Sequence, residues 1–375
     1  MDGEARVRTL TIEGLEALFQ ALEAEGRELL GPRRRDGVVG LGRLSSPLDL
    51  PAGWEDQQAP GRYRLRRREE GGVAPLFAHR VGAAGWRTFL RPSQTLLWRT
   101  ERREGRLHVE GVVPKAPRRA FIGVRPCDLA AIAIQDRVLT GGRHQDLHYA
   151  ARRRAVFLVA VECTRPAATC FCHGQESGPG VEHGFDLRLT ELVEGSDHYF
   201  LAAAGSEAGR RLLRALPGRA ARPSELDARR RALRQAARAM ARSLPEGAAA
   251  VLARNLDHPH WSEVGRRCLA CGNCTAVCPT CFCSRWVERT GLDGTRAEHW
   301  RVQDSCFDAE HSLLHGGPVR RDRGARYRQW LTHKLLHWEA QFGVTGCTGC
   351  GRCITWCPVG IDLTAEVKAL AEAAA

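Results

Sequence analysis

A cysteine spacing that occurs twice constrains this chain more than any other feature. Cys268-x2-Cys271-x2-Cys274-x3-Cys278-Pro279 returns as Cys347-x2-Cys350-x2-Cys353-x3-Cys357-Pro358, the run with which bacterial two-cluster ferredoxins hold iron–sulfur cubanes. Three thiolates two residues apart wrap one face of a cubane, while the fourth cysteine opens the next turn and points away. The proline after it fixes φ and removes a donor as the chain turns. In such runs the fourth cysteine serves the other cluster. The spacing therefore assigns Cys268, Cys271, Cys274 and Cys357 to a first [4Fe–4S] cluster, and Cys347, Cys350, Cys353 and Cys278 to a second. Gly272, Gly349 and Gly351 are expected to let backbone N–H groups approach the sulfurs and stabilise an anionic cluster. Zinc matches poorly, because its sites use two separated Cys-x2–4-Cys pairs.

Fifteen cysteines are an odd number, and in a reducing compartment they read as metal ligands and not as disulfides. Outside the two runs, Cys127, Cys163, Cys170 and Cys172 form one group. Phe121–Val124 and Val156–Val161 read as buried strands and a helix from Asp128 to about Leu139 lies between them, which makes a βαβ unit. Its right-handed crossover puts Cys127 and Cys163 at the same sheet edge, with Cys170-Phe171-Cys172 on the loop beyond. Ligands collect at such edges. A third iron–sulfur cluster, zinc, and free or redox-active thiols all remain open for these four. Cys281, Cys283 and Cys306 supply only three thiols between the ferredoxin halves and read as packed or incidental cysteines.

The rest of the pattern predicts a mixed α+β and α/β chain. Residues 1–205 are expected to form an α/β domain, 206–257 a basic helical linker, and 258–375 a two-cluster ferredoxin-type module split by an insertion at about 284–338. Thr11 stands where it can cap a helix with Leu15, Leu18, Phe19 and Leu22 on one face and Gly26 as its stop. Residues 31–117 are turn-rich and suggest short strands with long loops. A hairpin is expected over 185–192 and 199–203, then a solvated basic helix from Ser206 to about Leu244, with a capping-box-like start at Ser224 and Asp227.

The formal charge of +13 invites a nucleic-acid reading, but it comes from 53 arginines against three lysines. No aromatics interleave the arginine runs to stack on bases. Docking to an acidic partner subunit accounts for the sign equally well. No stretch approaches the ~18 apolar residues of a membrane span, and the N-terminus has no apolar leader, so a cytoplasmic chain is expected. Gly37–Gly42 is not a dinucleotide fingerprint, and neither a phosphate-binding P-loop nor an H-E-x-x-H run is present. His333 and His337 lack a third ligand and read as helix-face residues. The chain reads as a conductor of electrons that does not catalyse alone.

Gly123-Val124-Arg125-Pro126-Cys127-Asp128-Leu129, the Cys163–Cys172 loop with Gly184-Phe185-Asp186-Leu187, and the interrupted ferredoxin pair together resemble the beta subunits of cytosolic sulfhydrogenases. The A subunit of anaerobic sulfite reductase is similar in the same places. The resemblance implies an iron–sulfur carrier beside a flavin-containing, NAD(P)H-reactive subunit and catalytic hydrogenase or sulfite reductase subunits. It also implies a functional role for Cys127, Cys163, Cys170 and Cys172. An iron–sulfur sensor that binds a partner through its basic helix is the alternative of a different class. Saturated ligation in both runs counts against it.

Overall fold

The computed structural model describes residues 7–68, 72–83 and 85–373. Its largest element is an eight-stranded sheet. In spatial order the strands are Arg219–Ala220, Arg8–Leu10, Asp197–Ala204, Leu187–Glu194, Val156–Val161, Arg119–Val124, Glu28–Arg35 and Val38–Arg43. The four strands from Leu187–Glu194 to Glu28–Arg35 pair in parallel, and the remaining neighbours in the sheet pair antiparallel. The apolar runs expected as buried strands lie in the middle, where both faces are covered.

The βαβ unit is present, with its first helix at Pro126–Thr140 and a second at Leu147–Arg154. Asp128 does not cap the first helix. Arg125 takes the cap position with Pro126 behind it, and Asp128 pairs elsewhere. The N-terminal helix spans Ile12–Ala24 and buries Leu15, Leu18, Phe19 and Leu22, but Thr11 makes no capping bond. These side chains pack on the sheet with Phe157, Val159, Leu187 and Phe200. The expected hairpin is the pair Leu187–Glu194 and Asp197–Ala204.

The segment expected as one solvated helix differs. Helices Glu207–Ala215 and Pro223–Arg238 are separated by the strand Arg219–Ala220, which joins the sheet edge. The start falls at Arg222, whose N–H donates to the Glu225 carboxylate at 2.8 Å, and not at Ser224 and Asp227. The second helix is docked. Arg229 donates to both carboxylate oxygens of Glu162 at 2.7 and 2.6 Å, and Ala228 and Ala236 are buried. Charge alone suggested solvent exposure; a buried acid on the sheet is what draws the helix down.

Residues 284–303 form the hairpin Ser284–Thr290 and Arg296–Gln303, which pairs with Gln94–Arg103 and Arg106–Gly111 in a second, four-stranded sheet. Trp98 stacks on His299 at 4.9 Å and lies 5.5 Å from Trp286. The insertion is thus completed by N-terminal strands. Among the described residues, no helix is long and apolar enough to cross a membrane.

Candidate iron–sulfur centres

The two runs fold alike. Each places a glycine in the left-handed region, Gly272 at φ 73° and Gly351 at φ 72°, ahead of a four-residue helix that carries the third cysteine, Asn273–Ala276 and Arg352–Thr355. Ala270 N donates to Cys268 Sγ at 3.3 Å, Gly349 N to Cys347 Sγ at 3.4 Å, and Ile361 N to Cys357 Sγ at 3.3 Å. Such N–H···S bonds stabilise negative charge on sulfur. Around the runs pack Phe307, Tyr327, Trp330 and Leu331 from the insertion, and Leu363 and Val367 from the C-terminal helix Leu363–Glu372.

Cys268, Cys271, Cys274 and Cys357 line one cavity, with Cys353 of the second run in its wall. Cys353 in turn lies within electrostatic reach of Cys347, Cys350 and Cys278. Cys271 is exposed, and Leu269 and Val359 beside the cavity are 56% and 41% exposed.

A second cavity gathers Cys127, Cys163, Cys170 and Cys172, and Cys350 lines it too. Strand ends bring in Cys127 and Cys163, and the loop after Val156–Val161 brings in the other two. That loop lies against the second run. Phe171 N donates to the Gly349 carbonyl at 2.8 Å, Ser177 Oγ to the Thr348 carbonyl at 2.6 Å, and Thr169 and Thr355 both meet Gln58 Oε1. A Cβ on Gly349 would stand 2.7 Å from the Cys172 backbone, and one on Gly351 would stand 2.3 Å from the Thr169 carbonyl. Both glycines therefore serve this contact, and Gly349 alone of the two also donates to a sulfur.

The donor chemistry fits iron–sulfur clusters. Burial, ahead of other causes, pushes the Cys170 and Cys347 thiols up to about 12. It also raises Cys127, Cys172, Cys274, Cys350 and Cys353. Thiolates there need a positive partner, which iron supplies. Arg80 reaches the second cavity with its Nε buried and unbonded, a cation suited to an anionic occupant. Among the described residues, no three Cys, His, Asp or Glu side chains converge closely enough to hold a single metal ion.

Several contributors have no sequence signature. Arg352 forms a buried bidentate pair with Asp128 at 2.6 and 3.0 Å. Arg87 donates to the Cys281 and Ala276 carbonyls, and Gln135 to the Thr280 carbonyl. They bind the ferredoxin module to the α/β part. Only the adjacency of Arg352 to Cys353 hints at a role in sequence. Cys281 interacts electrostatically with Cys278, and Cys283 with Cys306. His333 packs against Phe282 and Trp338, which also meet each other edge-on.

Fold and site define a 4Fe–4S dicluster electron-transfer protein, and a family model described as a 4Fe-4S dicluster domain matches residues 267–361. The sulfhydrogenase 2 subunit beta of Pyrococcus furiosus is 34% identical over 259 residues, spanning 67% of this chain and 73% of that protein. This chain belongs to the sulfhydrogenase beta-subunit family.

Proposed function

We propose that this chain carries single electrons through three iron–sulfur centres in series inside a larger oxidoreductase complex. Cys268, Cys271, Cys274 and Cys357 hold the first cluster, and Cys347, Cys350, Cys353 and Cys278 the second. Cys127, Cys163, Cys170 and Cys172 hold a third. The observation that carries this reading is the sharing of walls. Cys350 belongs to the second run yet lines the cavity of the third group, and Cys353 lines the cavity of the first. The exposed Cys271, with Leu269 and Val359, is then the surface end of the series.

When bound, such clusters take up and return one electron without making or breaking a bond. The protein's part is to keep the sites rigid, adjacent and electrostatically matched. Arg80 offsets negative charge at the third site, backbone N–H groups do so at the first two, and the Asp128–Arg352 pair locks the third site against the second.

As the relative is named a subunit of a sulfhydrogenase, we place this chain between a flavin-containing, NAD(P)H-reactive subunit and catalytic hydrogenase subunits in the cytoplasm. Anaerobically purified protein should contain about twelve iron and twelve acid-labile sulfide per chain, against about eight with the ferredoxin pair alone. Cys127→Ser and Cys163→Ser should each lower the count by about four and leave the ferredoxin pair's EPR signal in place. Unchanged iron in both variants would return the four thiols to a structural role, and zinc with little iron would sink the whole reading. Co-purified subunits decide the complex, and a sulfite reductase in place of a hydrogenase would reassign it.

A further inference from the structure

Lysine is rare in this chain, and one of its three lysines is buried. Lys334 is 3% exposed and sits in the π turn His333–His337, between the helices Arg323–Thr332 and Trp338–Phe342. Such wide turns are frequent at functional sites. Its Nζ donates to Thr280 Oγ1 at 2.8 Å and to the Gly346 carbonyl at 3.4 Å. Its own carbonyl accepts from Gly346 N at 2.8 Å and Thr345 Oγ1 at 3.3 Å. The residue thus grips the position before Cys347 with both its backbone and its side chain. Through Thr280, whose Oγ1 is 3.2 Å from Cys278 Sγ, it also reaches the other run.

Both hydrogen-bond partners of Nζ are neutral, and among the described residues no carboxylate pairs with it. The acidic groups that act on it most strongly are the thiols of Cys278, Cys281 and Cys347. The Trp338 ring, 6.0 Å away, offers only its quadrupole. An ammonium buried among neutral groups is strongly unfavourable unless an anion lies beside it. A cubane on four thiolates is such an anion in both members of its one-electron couple.

We infer that Lys334 is the fixed counter-charge of the second cluster and raises its reduction potential. The inference rests on the ligand set proposed above. Reduction adds negative charge beside a buried cation, so the reduced state gains more than the oxidised one, and it gains more in this interior than it would in water. Lys334 acts through the cluster's environment and is a positioning residue, not a ligand.

EPR-monitored redox titration of anaerobically purified Lys334→Met, Lys334→Gln and Lys334→Arg chains tests this, with the first cluster as internal reference. The Met and Gln variants should lower the equilibrium constant for reducing the second cluster about tenfold, equivalent to 59 mV for one electron. The Arg variant should stay near wild type, and the first cluster should not move. An unchanged second cluster in Met and Gln chains with full iron overturns the inference. Loss of that cluster from Met and Gln but not Arg supports it, because charge and not shape then holds the anion. Loss from all three variants, with the first cluster retained, overturns it. A wild-type chain without clusters sinks the ligand assignment and this inference with it, and the iron count alone tells that outcome from the others.

Discussion

At the scale of single residues, two positions separate local from long-range roles. Gly349 has φ 60°, and its counterpart in the first run is Ala270 at φ 53°. An alanine is therefore compatible with this loop's backbone; what it cannot tolerate at 349 is the Cys172 backbone at 2.7 Å. Gly349→Ala should keep both ferredoxin clusters and lose the third, a drop of about four iron per chain. Iron analysis with EPR checks this, and full iron content would show that the loop contact is dispensable. Glu225 is the second case. The hydrogen bond from Arg219, with those from Arg222 N and Thr9 Oγ1, lowers its carboxyl to about 2. A depressed folded-state value means the stabilisation is complete above the unfolded value of 4.5 and is lost as pH falls toward about 2. Arg219 is 45% exposed, so solvent screening reduces the tie to about 1 kcal/mol. Glu225→Gln should lower the thermal midpoint at pH 7, and its gap from wild type should narrow by pH 3, where acid damage to the clusters is common to both chains. A constant gap would deny the carboxylate its role.

At the scale of elements, the crossed ligation proposed above would make the two ferredoxin runs interdependent. A chain ending at Thr345 loses Cys347, Cys350, Cys353 and Cys357, and with the last of these one ligand of the first cluster. Both cubane signals should collapse in low-temperature EPR, and an intact, stable one would refute the crossed assignment. The elements themselves were legible unevenly. Leu15, Leu18, Phe19 and Leu22 reveal the first helix because one face repeats every three to four residues. Phe121–Val124 and Val156–Val161 reveal central strands because both their faces are apolar. Gln94–Arg103 and Arg296–Gln303 are half-exposed strands rich in arginine and glutamate. Their pairing across about two hundred residues leaves no local pattern. The helix Pro223–Arg238 misled for a related reason: its outward arginines dominate its composition, while its attachment depends on Arg229 finding Glu162 on another element.

At the scale of the whole molecule, the net charge of +13 suits the proposed docking to an acidic partner subunit. Raising ionic strength should slow electron delivery from a flavoprotein partner, as charges beyond the ~8 Å Debye length at physiological salt are screened. Stopped-flow reduction across a salt series measures this, and salt-independent transfer would remove the basic surface from docking. The isolated chain should not oxidise NAD(P)H. By itself the sequence determined the class of the protein, because cluster ligation is written in spacings of two and three residues within one loop. The central βαβ unit was legible for the same reason: continuous apolar runs and their separation are local properties. The same unit already placed Cys127 and Cys163 at one sheet edge with Cys170 and Cys172 on the loop beyond; only the tertiary structure put Cys350 of the second run in the wall of their cavity and Lys334 beside that run. Those arrangements depend on loops pressed together over Gly349 and Gly351 and on a helix register shifted by a π turn, and no periodicity along the chain encodes such contacts.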